Sequence, residues 1–377
     1  MRQNFYDELS NTDLKGLAER SRSASPADVD RVLAAGGACT LEDFAVLISP
    51  AALARIEDMA QISASLTEGV FGRTMRMFAP LYVSNECVNN CKYCGFACRH
   101  KIDRKTLSLE EVEREVEAIY KLGFRTLLLV AAENPKLVST GYMGECIKIA
   151  IKRMPSVSIE IAPSSVEDYR TYVDLGCEGL TVFQETYDEA VYPSLHPSGP
   201  KADFKWRLGT PERGADGGMR KLGLGPLLGL NEWRFEILAV ALHACFLGKR
   251  AWKSQVSISL PRMRPAASGF IPKEGGIPND KELVQITCAL RMFLPRVSLV
   301  VSTRESRKMR DGLMRIGATQ MSAFSSTQPG GYADLTKEGE QFHIDDNRTP
   351  EEFARALRER GIDPVWKDFD ASLAGRR

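Results

Sequence analysis

The sequence predicts an α/β protein whose main part is a closed (β/α)8 barrel of the TIM type. Eight short β-rich runs alternate with amphipathic segments of ten or more residues, and this alternation requires a parallel sheet with helical crossovers. The length of 377 residues accommodates one barrel of about 250 residues with additions. Three closely spaced cysteines directly follow the first β-rich run, at the end of the strands where barrels build their active sites.

The predicted strands are short segments rich in β-branched and apolar residues. Eight such segments fit a closed barrel better than an open doubly wound sheet. The fifth and the eighth are the shortest, and both lie close to glycines. The predicted strands cover residues 78–83, 126–130, 157–161, 179–183, 222–224, 256–260, 299–302 and 320–322.

Seven predicted helices lie between these strands, because the intervening segments place apolar residues at helical spacing. They cover residues 109–122, 142–153, 166–175, 211–221, 231–248, 281–294 and 305–316. Residues 193–210 show no regular pattern. This stretch exceeds the usual length of a connection, which favours a functional loop over a linker.

Extensions are predicted on both sides of the barrel. Residues 1–75 form an N-terminal helical extension, residues 76–332 the barrel domain and residues 333–377 a C-terminal extension. Ser25 and Thr40 are typical helix-capping residues, and each precedes apolar residues at helical spacing. In the C-terminal extension a further helix is expected to begin at Thr349 and to run to about residue 360, and residues 364–367 are expected to pack on the barrel.

Charge and composition exclude several classes of protein. The chain has 50 basic and 49 acidic residues, a net charge of +1, so it offers no general attraction for nucleic acid or an anionic membrane. Its apolar runs are far shorter than the roughly 20 residues of a spanning helix, and residues 1–8 do not resemble an export signal. We therefore expect a soluble cytoplasmic protein, in which the nine cysteines are more often ligands or reactive groups than disulfides.

Cys87, Cys91 and Cys94 form a C-x3-C-x2-C motif. A loop of eight residues can place three thiolates on three irons of one cubane cluster, which leaves the fourth iron without a protein ligand. Electron-transfer clusters are normally closed by four thiolates, whereas an open metal site can take a substrate. A zinc site remains an alternative, since Cys98 or His100 could supply a fourth ligand. A disulfide with a spare thiol is disfavoured by the reducing cytosol.

This motif, with Tyr93 as the aromatic residue before the third cysteine, resembles the signature of the radical S-adenosylmethionine (SAM) superfamily. The resemblance implies a 4Fe-4S cluster held by Cys87, Cys91 and Cys94. It also implies SAM as a second cofactor, chelated to the open iron and cleaved to methionine and a 5'-deoxyadenosyl radical. Tyr93 would lie at the cofactor site.

Further stretches resemble the aromatic amino-acid lyase branch of that superfamily, above all the 2-iminoacetate synthases (tyrosine lyases) of bacterial thiamine biosynthesis. A related tyrosine lyase, which makes CO and cyanide for hydrogenase maturation, carries a second cluster in an additional domain. The present chain has no cysteine after Cys288, which argues against that second half-reaction. The stretches that carry the resemblance are residues 84–96, 104–107, 184–187, 206–208, 302–305, 327–332 and 364–368.

We expect Glu133, Glu160 and Arg207 to contact the cofactor, and Gln184 and Glu185 to contact the cofactor or the substrate. Glu133 would hold the methionine amino group of SAM, Arg207 its carboxylate and Glu160 the ribose hydroxyls. Gln184 and Glu185 are expected to point into the barrel mouth, where an acid-amide pair is hard to explain by packing. The alternatives are an exposed loop acid for Glu133, a helix-capping acid for Glu160 and a solvated side chain for Arg207.

One motif departs from the family pattern. The glycine-glutamate pair expected after the second strand is replaced by Ala131-Ala132-Glu133. The glutamate is kept, but the backbone loses the conformational freedom of glycine. A shifted substrate is one consequence that this departure permits.

Ser302 and Arg304 follow the seventh predicted strand and resemble the family's clamp for the carboxylate of the substrate amino acid, with Ser322 on the eighth strand as a further partner. Residues two apart on an extended chain point the same way. A structural salt bridge is the alternative for Arg304. Ser257 and Ser259 line the sixth strand by the same alternation, either as site residues or as polar filling of the barrel.

The resemblance therefore implies a radical SAM carbon-carbon lyase that cleaves the Cα–Cβ bond of L-tyrosine to 2-iminoacetate (dehydroglycine) and p-cresol for thiamine thiazole synthesis. Two alternatives stay open: a lyase for tryptophan or another aromatic amino acid, and a non-enzymatic iron-sulfur or zinc scaffold protein. The resemblance implies an electron donor such as flavodoxin or ferredoxin, and a complex with a thiazole synthase. No nucleic acid or membrane partner is expected.

Overall fold

Eight parallel strands close into a barrel in the computed structural model, which describes residues 4–265, 268–334 and 341–367. The first strand pairs with the second on one side and with the eighth on the other, so the sheet has no free edge there. This confirms the predicted (β/α)8 fold. The strands are Thr74–Ser84 (β1), Thr126–Ala131 (β2), Ser156–Glu160 (β3), Gly179–Glu185 (β4), Lys221–Pro226 (β5), Gln255–Ser259 (β6), Ser298–Val301 (β7), Gln320–Ser322 (β8) and Asp363–Val365 (β9).

All eight predicted barrel strands are present, with ends that differ by a few residues. The largest differences are at β1, which begins four residues before its prediction, and at β5, which begins at Lys221, a residue assigned to the preceding helix. The glycines of β5 lie where neighbouring strands approach closely. A Cβ on Gly223 would lie 2.5 Å from Thr181 Oγ1, and one on Gly225 would lie 2.3 Å from the Ser259 carbonyl oxygen.

Helices surround the barrel and form both extensions. Their bounds agree with the sequence predictions to within a few residues, except that the predicted helix 211–221 ends at Asp216. The helices are Phe5–Asn11 (α1), Leu14–Ser23 (α2), Pro26–Ala34 (α3), Leu41–Leu47 (α4), Pro50–Leu53 (α5), Ile56–Phe71 (α6), Leu109–Lys121 (α7), Thr140–Ile151 (α8), Val166–Asp174 (α9), Tyr192–Leu195 (α10), Phe204–Leu208 (α11), Thr210–Asp216 (α12), Trp233–Arg250 (α13), Asp280–Phe293 (α14), Arg307–Ile316 (α15) and Pro350–Arg358 (α16).

The N-terminal helices α1–α6 cover one side of the barrel, and α3 and α4 begin at the caps expected from the sequence. Ser25 accepts a hydrogen bond from Asp28 N at the start of α3, and Thr40 accepts one from Asp43 N at the start of α4. Helices α1 and α2 contact α13, and α6 contacts α14 and α15. Phe5 stacks on His243 of α13 with ring centroids 3.8 Å apart. No helix among the described residues is long and apolar enough to span a membrane.

The segment 193–210 is not irregular, contrary to our expectation. It contains α11, the last residues of α10 and a short 3-10 helix at Pro200–Ala202. Proline occupies the first turn of α10 and of the 3-10 helix, and Asp203 caps α11. Pieces this short lack the periodic apolar pattern by which helices are recognised in a sequence.

The C-terminal residues up to Lys367 pack on the barrel as expected. Strand β9 pairs with residues Thr74–Arg76 of β1, and the Trp366 ring lies 5.4 Å from that of Phe124. Of the stretch 364–368 that carries the family resemblance, Asp368 lies outside the described residues. The assignment of domain boundaries at residues 75 and 332 stays a prediction.

Candidate active site

A cavity of about 240 Å³ occupies the barrel interior, and its lining includes residues at or just after the carboxyl ends of strands, such as Glu160, Glu185 and Ser302. A second cavity of about 120 Å³ adjoins it below the cysteine loop. The two cavities share wall residues that include Tyr82, Cys94, Glu160, Glu185 and Lys201. They therefore form one continuous site with two compartments.

The cysteine loop follows β1. The side chains of two arginines donate hydrogen bonds to its main-chain carbonyl groups. Arg99 Nη1 donates to the carbonyl of Cys91 at 3.0 Å, and Arg99 Nη2 donates to that of Lys92 at 2.7 Å. Arg104 donates to the carbonyls of Asn85 and Phe96 at 2.7 and 2.8 Å. These bonds satisfy carbonyl groups that an irregular loop would otherwise leave unpaired.

Cys87, Cys91 and Cys94 all line the smaller cavity, and all three are free thiols. The sulfur of Cys87 lies 3.8 Å from Asn89 Nδ2, and that of Cys94 lies 3.8 Å from Gln341 Nε2. Such amide donors stabilise a thiolate. No disulfide joins any of the nine cysteines in this structure.

The donor set fits a cluster better than a single metal ion. Within the described ranges no group of three or more Cys, His, Asp or Glu side chains is arranged to surround one ion, as zinc would require at about 2.3 Å from each sulfur. A cubane is larger and takes thiolates that are further apart. Cys98 is exposed and lines neither cavity, so it is not placed to serve as a fourth ligand, and a cluster here would be held by the three motif cysteines.

Burial keeps the thiols of Cys91 and Cys94 protonated in the absence of metal. It raises the pKa of Cys91 to about 12 and raises that of Cys94 against the opposing charge of Lys201. Metal coordination deprotonates such a thiol outright. Loading of this site is therefore expected to release protons.

Glu133 lies at the cysteine loop, where the sequence placed it. Its carboxylate accepts a hydrogen bond from Asn89 Nδ2 at 2.7 Å, and its carbonyl accepts one from Val88 N at 2.9 Å. Neither Ala131 nor Ala132 has a positive φ, so the missing glycine imposes no backbone strain here. The departure from the family motif thus leaves the glutamate in place.

Glu185 ends β4 with a left-handed backbone, at φ 72°, where the register of β4 against β5 shifts. Its carboxylate lies 2.6 Å from Lys201 Nζ and 3.9 Å from Arg207 Nη2. Arg207 Nε donates to the Phe183 carbonyl at 2.7 Å, so it is a fixed wall residue and not a solvated side chain. Burial would raise the pKa of Glu185, but the charges of Lys201 and Arg207 hold it below its ordinary value.

Glu236 of α13 supports this turn from outside the barrel. Its carboxylate accepts hydrogen bonds from Thr186 Oγ1 at 2.5 Å, Tyr187 N at 2.9 Å and Asn231 Nδ2 at 3.1 Å. The side chain is fully buried, and burial raises its pKa to about 7. A strained turn persists only when its surroundings hold it, and Glu236 supplies part of that support.

Gln184 does not line either cavity, contrary to our expectation for the pair of Gln184 and Glu185. Neighbouring residues on a strand point to opposite faces, so only Glu185 reaches the site. The Gln184 side chain is buried, and neither of its amide atoms has a hydrogen-bond partner. The predicted cofactor contact by Gln184 therefore receives no support from its position.

Glu160 ends β3 and lines both compartments, so it does not serve as a helix cap. Burial and the nearby Glu185 raise the pKa of this carboxyl to about 7, against the opposing charges of Arg304, Arg207 and Lys201. A carboxyl group with such a pKa changes charge near neutral pH.

Ser302, Arg304 and Ser322 all line the larger cavity, as do Ser257 and Ser259. Among the described residues no carboxylate lies within 4 Å of the Arg304 guanidinium; the group instead lies 3.3 Å above the Phe342 ring. The alternative of a structural salt bridge therefore fails for Arg304. An arginine without an acidic partner beside a serine hydroxyl is suited to a carboxylate ligand.

Tyr93 belongs to the cysteine loop and forms part of the wall of the larger cavity. Its hydroxyl hydrogen-bonds with His196 Nε2 at 2.9 Å. Burial lowers the pKa of His196 to about 3, so this imidazole is neutral. The pair fixes the aromatic ring of the cysteine motif.

Lys201 is the main site residue that sequence reasoning missed. Its ammonium group pairs with Glu185 and lies 5.7 Å from the centroid of the Tyr93 ring. The only signal was its place in the segment 193–210, which we took for a functional loop. The backbone of Lys201 is tied to the cysteine loop, since its N–H donates to Asn89 Oδ1 at 2.8 Å.

Comparison with known proteins agrees with this geometry. A family model described as the Radical SAM superfamily matches residues 81–241, and one described as the Biotin and Thiamin Synthesis associated domain matches residues 259–363. Over 370 residues the sequence is 42% identical to the 2-iminoacetate synthase of Salmonella typhimurium, covering 98% of this chain and 97% of that protein. The corresponding protein of Escherichia coli is 41% identical over the same length. The chain belongs to the 2-iminoacetate synthase family.

Two solved structures have the same fold as this chain. A crystal structure of HydG, a maturase of the FeFe-hydrogenase, superposes with a TM-score of 0.88 at 32% identity and covers 96% of this chain and 81% of that chain. Methylornithine synthase (PylB), at 19% identity and a TM-score of 0.71, shares the fold. Membership of the 2-iminoacetate synthase family makes this protein a radical SAM lyase, so the alternative of a non-enzymatic scaffold is wrong.

Proposed function

We propose that this member of the 2-iminoacetate synthase family cleaves the Cα–Cβ bond of L-tyrosine and yields 2-iminoacetate and p-cresol. The observation that supports the proposal most directly is Arg304, a cavity arginine with no acidic partner among the described residues, next to Ser302. The same cavity reaches Cys94 of the cysteine loop. A free amino acid whose carboxylate is bound at Arg304 would thus lie in the compartment that also contains a cluster ligand.

Cys87, Cys91 and Cys94 would hold a 4Fe-4S cluster, and Glu133, Glu160, Glu185 and Arg207 would contact SAM. When bound, these cofactors supply the 5'-deoxyadenosyl radical that is typical of the superfamily. Glu133 is oriented for an amino group by the Asn89 amide. Arg207 is oriented by the Phe183 carbonyl and by Glu185, 3.9 Å from its Nη2, and its guanidinium matches an anionic group such as a carboxylate. Gln184 is left out of this set because of its position.

The protein's own contribution to the reaction is positioning and the exclusion of water. Ser302, Arg304 and Ser322 would anchor the carboxylate of tyrosine, so that its amino group faces the cofactor compartment. Tyr82, Phe183 and Tyr93 are mostly buried wall residues that cover the reacting region. An enclosed site protects a radical from other hydrogen donors and an imine from hydrolysis.

The substrate proposal is tested by anaerobic incubation of the reconstituted protein with SAM, dithionite and tyrosine. We expect p-cresol from the unaltered protein. Arg304→Lys replaces a bidentate anchor by a point charge and is expected to raise KM for tyrosine at least tenfold, about 1.4 kcal/mol. Binding of SAM should change little, and the exposed Arg296→Lys serves as the control. Formation of 5'-deoxyadenosine without cresol would exclude tyrosine as the substrate.

The alternative of a tryptophan substrate receives no support from the motif that suggested it. The two alanines before Glu133 adopt ordinary backbone conformations, so they provide no reason for a reshaped site. Turnover of tyrosine and of tryptophan under the same conditions decides between the two substrates. Faster turnover of tryptophan would contradict the proposal.

We further propose a cytosolic protein that receives electrons from a small reductant protein and passes its imine to a thiazole synthase. Free thiols are consistent with a reducing compartment. An unstable imine is best passed on within a complex, and co-purification with the thiazole synthase would test this. Absence of the complex at micromolar concentrations would contradict this step.

A further inference from the structure

A third cavity, of about 470 Å³, lies at the end of the barrel opposite the cysteine loop. Its wall contains residues from the amino ends of β1, β5 and β6, among them Arg76, Lys221 and Gln255. Ser84 ends β1 and Arg76 lies near its start, so about eight residues, or roughly 26 Å of extended strand, separate the two. We call this third cavity the basal cavity.

Charged side chains point to the barrel axis at this level. Phe78, Pro80 and Tyr82 line the larger cavity of the active site, so by strand alternation Arg76 also points inward. Lys221 lines both the larger cavity and the basal cavity, so it lies between the two. Bulky apolar residues usually fill the layers inside a barrel. Core packing therefore does not explain why basic residues occupy this one.

The wall of the basal cavity has a surplus of positive charge. Four basic residues line it, and Glu178 is the one acidic residue among the described residues of the wall. The Glu178 carboxylate lies 2.7 Å from Lys221 Nζ and offsets one of the four charges. A concave surface with charge of one sign concentrates counter-ions, so this cavity favours an anion. The four basic residues are Arg76, Arg220, Lys221 and Lys253.

Hydrogen bonds hold part of this basic wall in place. Arg76 Nη1 donates to Gln255 Oε1 at 3.1 Å. The main chain of Arg220 is fixed between strands, since its N–H donates to the Glu178 carbonyl at 2.8 Å and its carbonyl accepts from Gln255 N at 2.7 Å. Groups that are already in position lose less conformational entropy when a ligand binds.

One side of the basal cavity is apolar. Val70 and Phe71 at the end of α6 contribute to the wall, as does Val365 of β9. Val70 is 45% exposed. Small-molecule pockets have volumes of roughly 300–1,000 Å³ and combine apolar walls with a few polar groups. The basal cavity therefore has room for an organic group beside an anionic one.

We propose that the basal cavity binds an organic phosphate, a small molecule in which a phosphate monoester is joined to an apolar group. Such a phosphate carries a charge of about −1.5 to −2 at pH 7 and three acceptor oxygens, so it can engage several cations at once. Arginine binds phosphate through two parallel hydrogen bonds, and lysine binds it as a point charge. Phe71 and Val365 would contact the organic group. This site goes beyond the proposed lyase function and does not depend on the substrate.

The test is calorimetric titration of the reconstituted full-length protein with phenyl phosphate, which combines a phosphate monoester with an apolar ring. We expect it to bind at least about tenfold more tightly than inorganic phosphate, which lacks the ring, or benzoate, which lacks the phosphate. Saturating SAM and tyrosine should leave its affinity unchanged, because the active site lies at the other end of the barrel. Equal affinity for either comparison anion, or competition by SAM or tyrosine, would overturn the proposal.

Arg220→Glu combined with Lys253→Glu reverses two exposed charges of the wall. This variant is expected to weaken binding of phenyl phosphate at least about tenfold, because each charge-assisted hydrogen bond contributes strongly. The matched control is Lys121→Glu combined with Lys152→Glu, two exposed residues before β2 and β3 that lie outside the cavity. Equal affinities in the two double variants would contradict the proposed site. If a variant fails to fold, the titrations of the unaltered protein still decide.

Discussion

Glu185 combines backbone strain with a buried charge. A left-handed conformation costs a non-glycine residue of the order of 1–3 kcal/mol and persists where the surroundings hold it. Here the carbonyl of Glu185 accepts a hydrogen bond from Leu227 N at 2.9 Å, and Glu236 holds the two residues that follow. The strain turns the carboxylate towards Lys201 and the cavity, which is consistent with a functional role for this pair.

Replacement of Lys201 by methionine is expected to weaken binding of SAM at least tenfold. Among the described residues, the variant leaves Arg207, at 3.9 Å, as the only cation paired with the buried Glu185, and removal of one partner of a buried pair is costly. Calorimetric titration measures the loss. The control is Lys205→Met, since Lys205 is exposed and its Nζ lies 3.9 Å from the Tyr6 ring centroid. Unchanged binding in Lys201→Met would show that Lys201 takes no part in the site.

The C-terminal helix and strand are docked by a buried ionic cluster. Arg310 and Arg348 both pair with Asp346, and Arg348 also pairs with Asp311 at 2.8 Å. Arg310 also donates to the carbonyl of Ser322, which itself lines the cavity. The cluster therefore connects the chain before α16 to the end of β8.

The substitution Asp346→Asn should destabilise the protein by about 3 kcal/mol, because it leaves the buried Arg310 without its counter-charge and Arg348 with Asp311 alone. Urea denaturation followed by circular dichroism measures the change. Glu145→Gln removes an exposed pair with Lys148 and should cost less than about 1 kcal/mol. Similar losses in the two variants would contradict the assigned importance of the buried cluster.

At the scale of the whole molecule, buried glutamates make stability depend on pH. Burial raises the pKa of Glu236 to about 7, from an ordinary value of 4.5, and Glu160 behaves in the same way. Between these two values the folded protein binds more protons than the unfolded chain. Stability contributed by these groups therefore falls as pH rises through this window and stays lower above it.

The variant Glu236→Gln should remove one part of this pH dependence. Relative to the unaltered protein, its thermal midpoint is expected to rise as the pH is raised from about 5 to about 7.5, because glutamine cannot lose a proton. Thermal unfolding of the metal-free protein at several pH values measures the difference. A difference between the two midpoints that does not vary with pH would contradict the raised pKa of Glu236.

The alternation of strand and helix and the cysteine spacing were enough to predict the barrel, the cluster motif and the family. The strand-helix alternation and the cysteine spacing are local patterns. An amphipathic period is visible within a dozen residues, and Cys87, Cys91 and Cys94 are close in sequence. The end of each strand could also be anticipated, so Glu133, Glu160, Ser302, Arg304 and Ser322 were placed at the barrel mouth by position alone. The role of each of these five residues in binding the cofactor or the substrate stays a prediction.

Tertiary structure decided which of these side chains meet. Gln184 and Glu185 are adjacent in sequence, yet the pleat and the bulge of β4 send only one of them into the cavity. Lys201 reaches Glu185 from a segment with no periodic pattern, and Glu236 supports the same turn from a helix 50 residues away. Such contacts depend on how the closed barrel brings distant segments together, and a linear pattern does not carry that information.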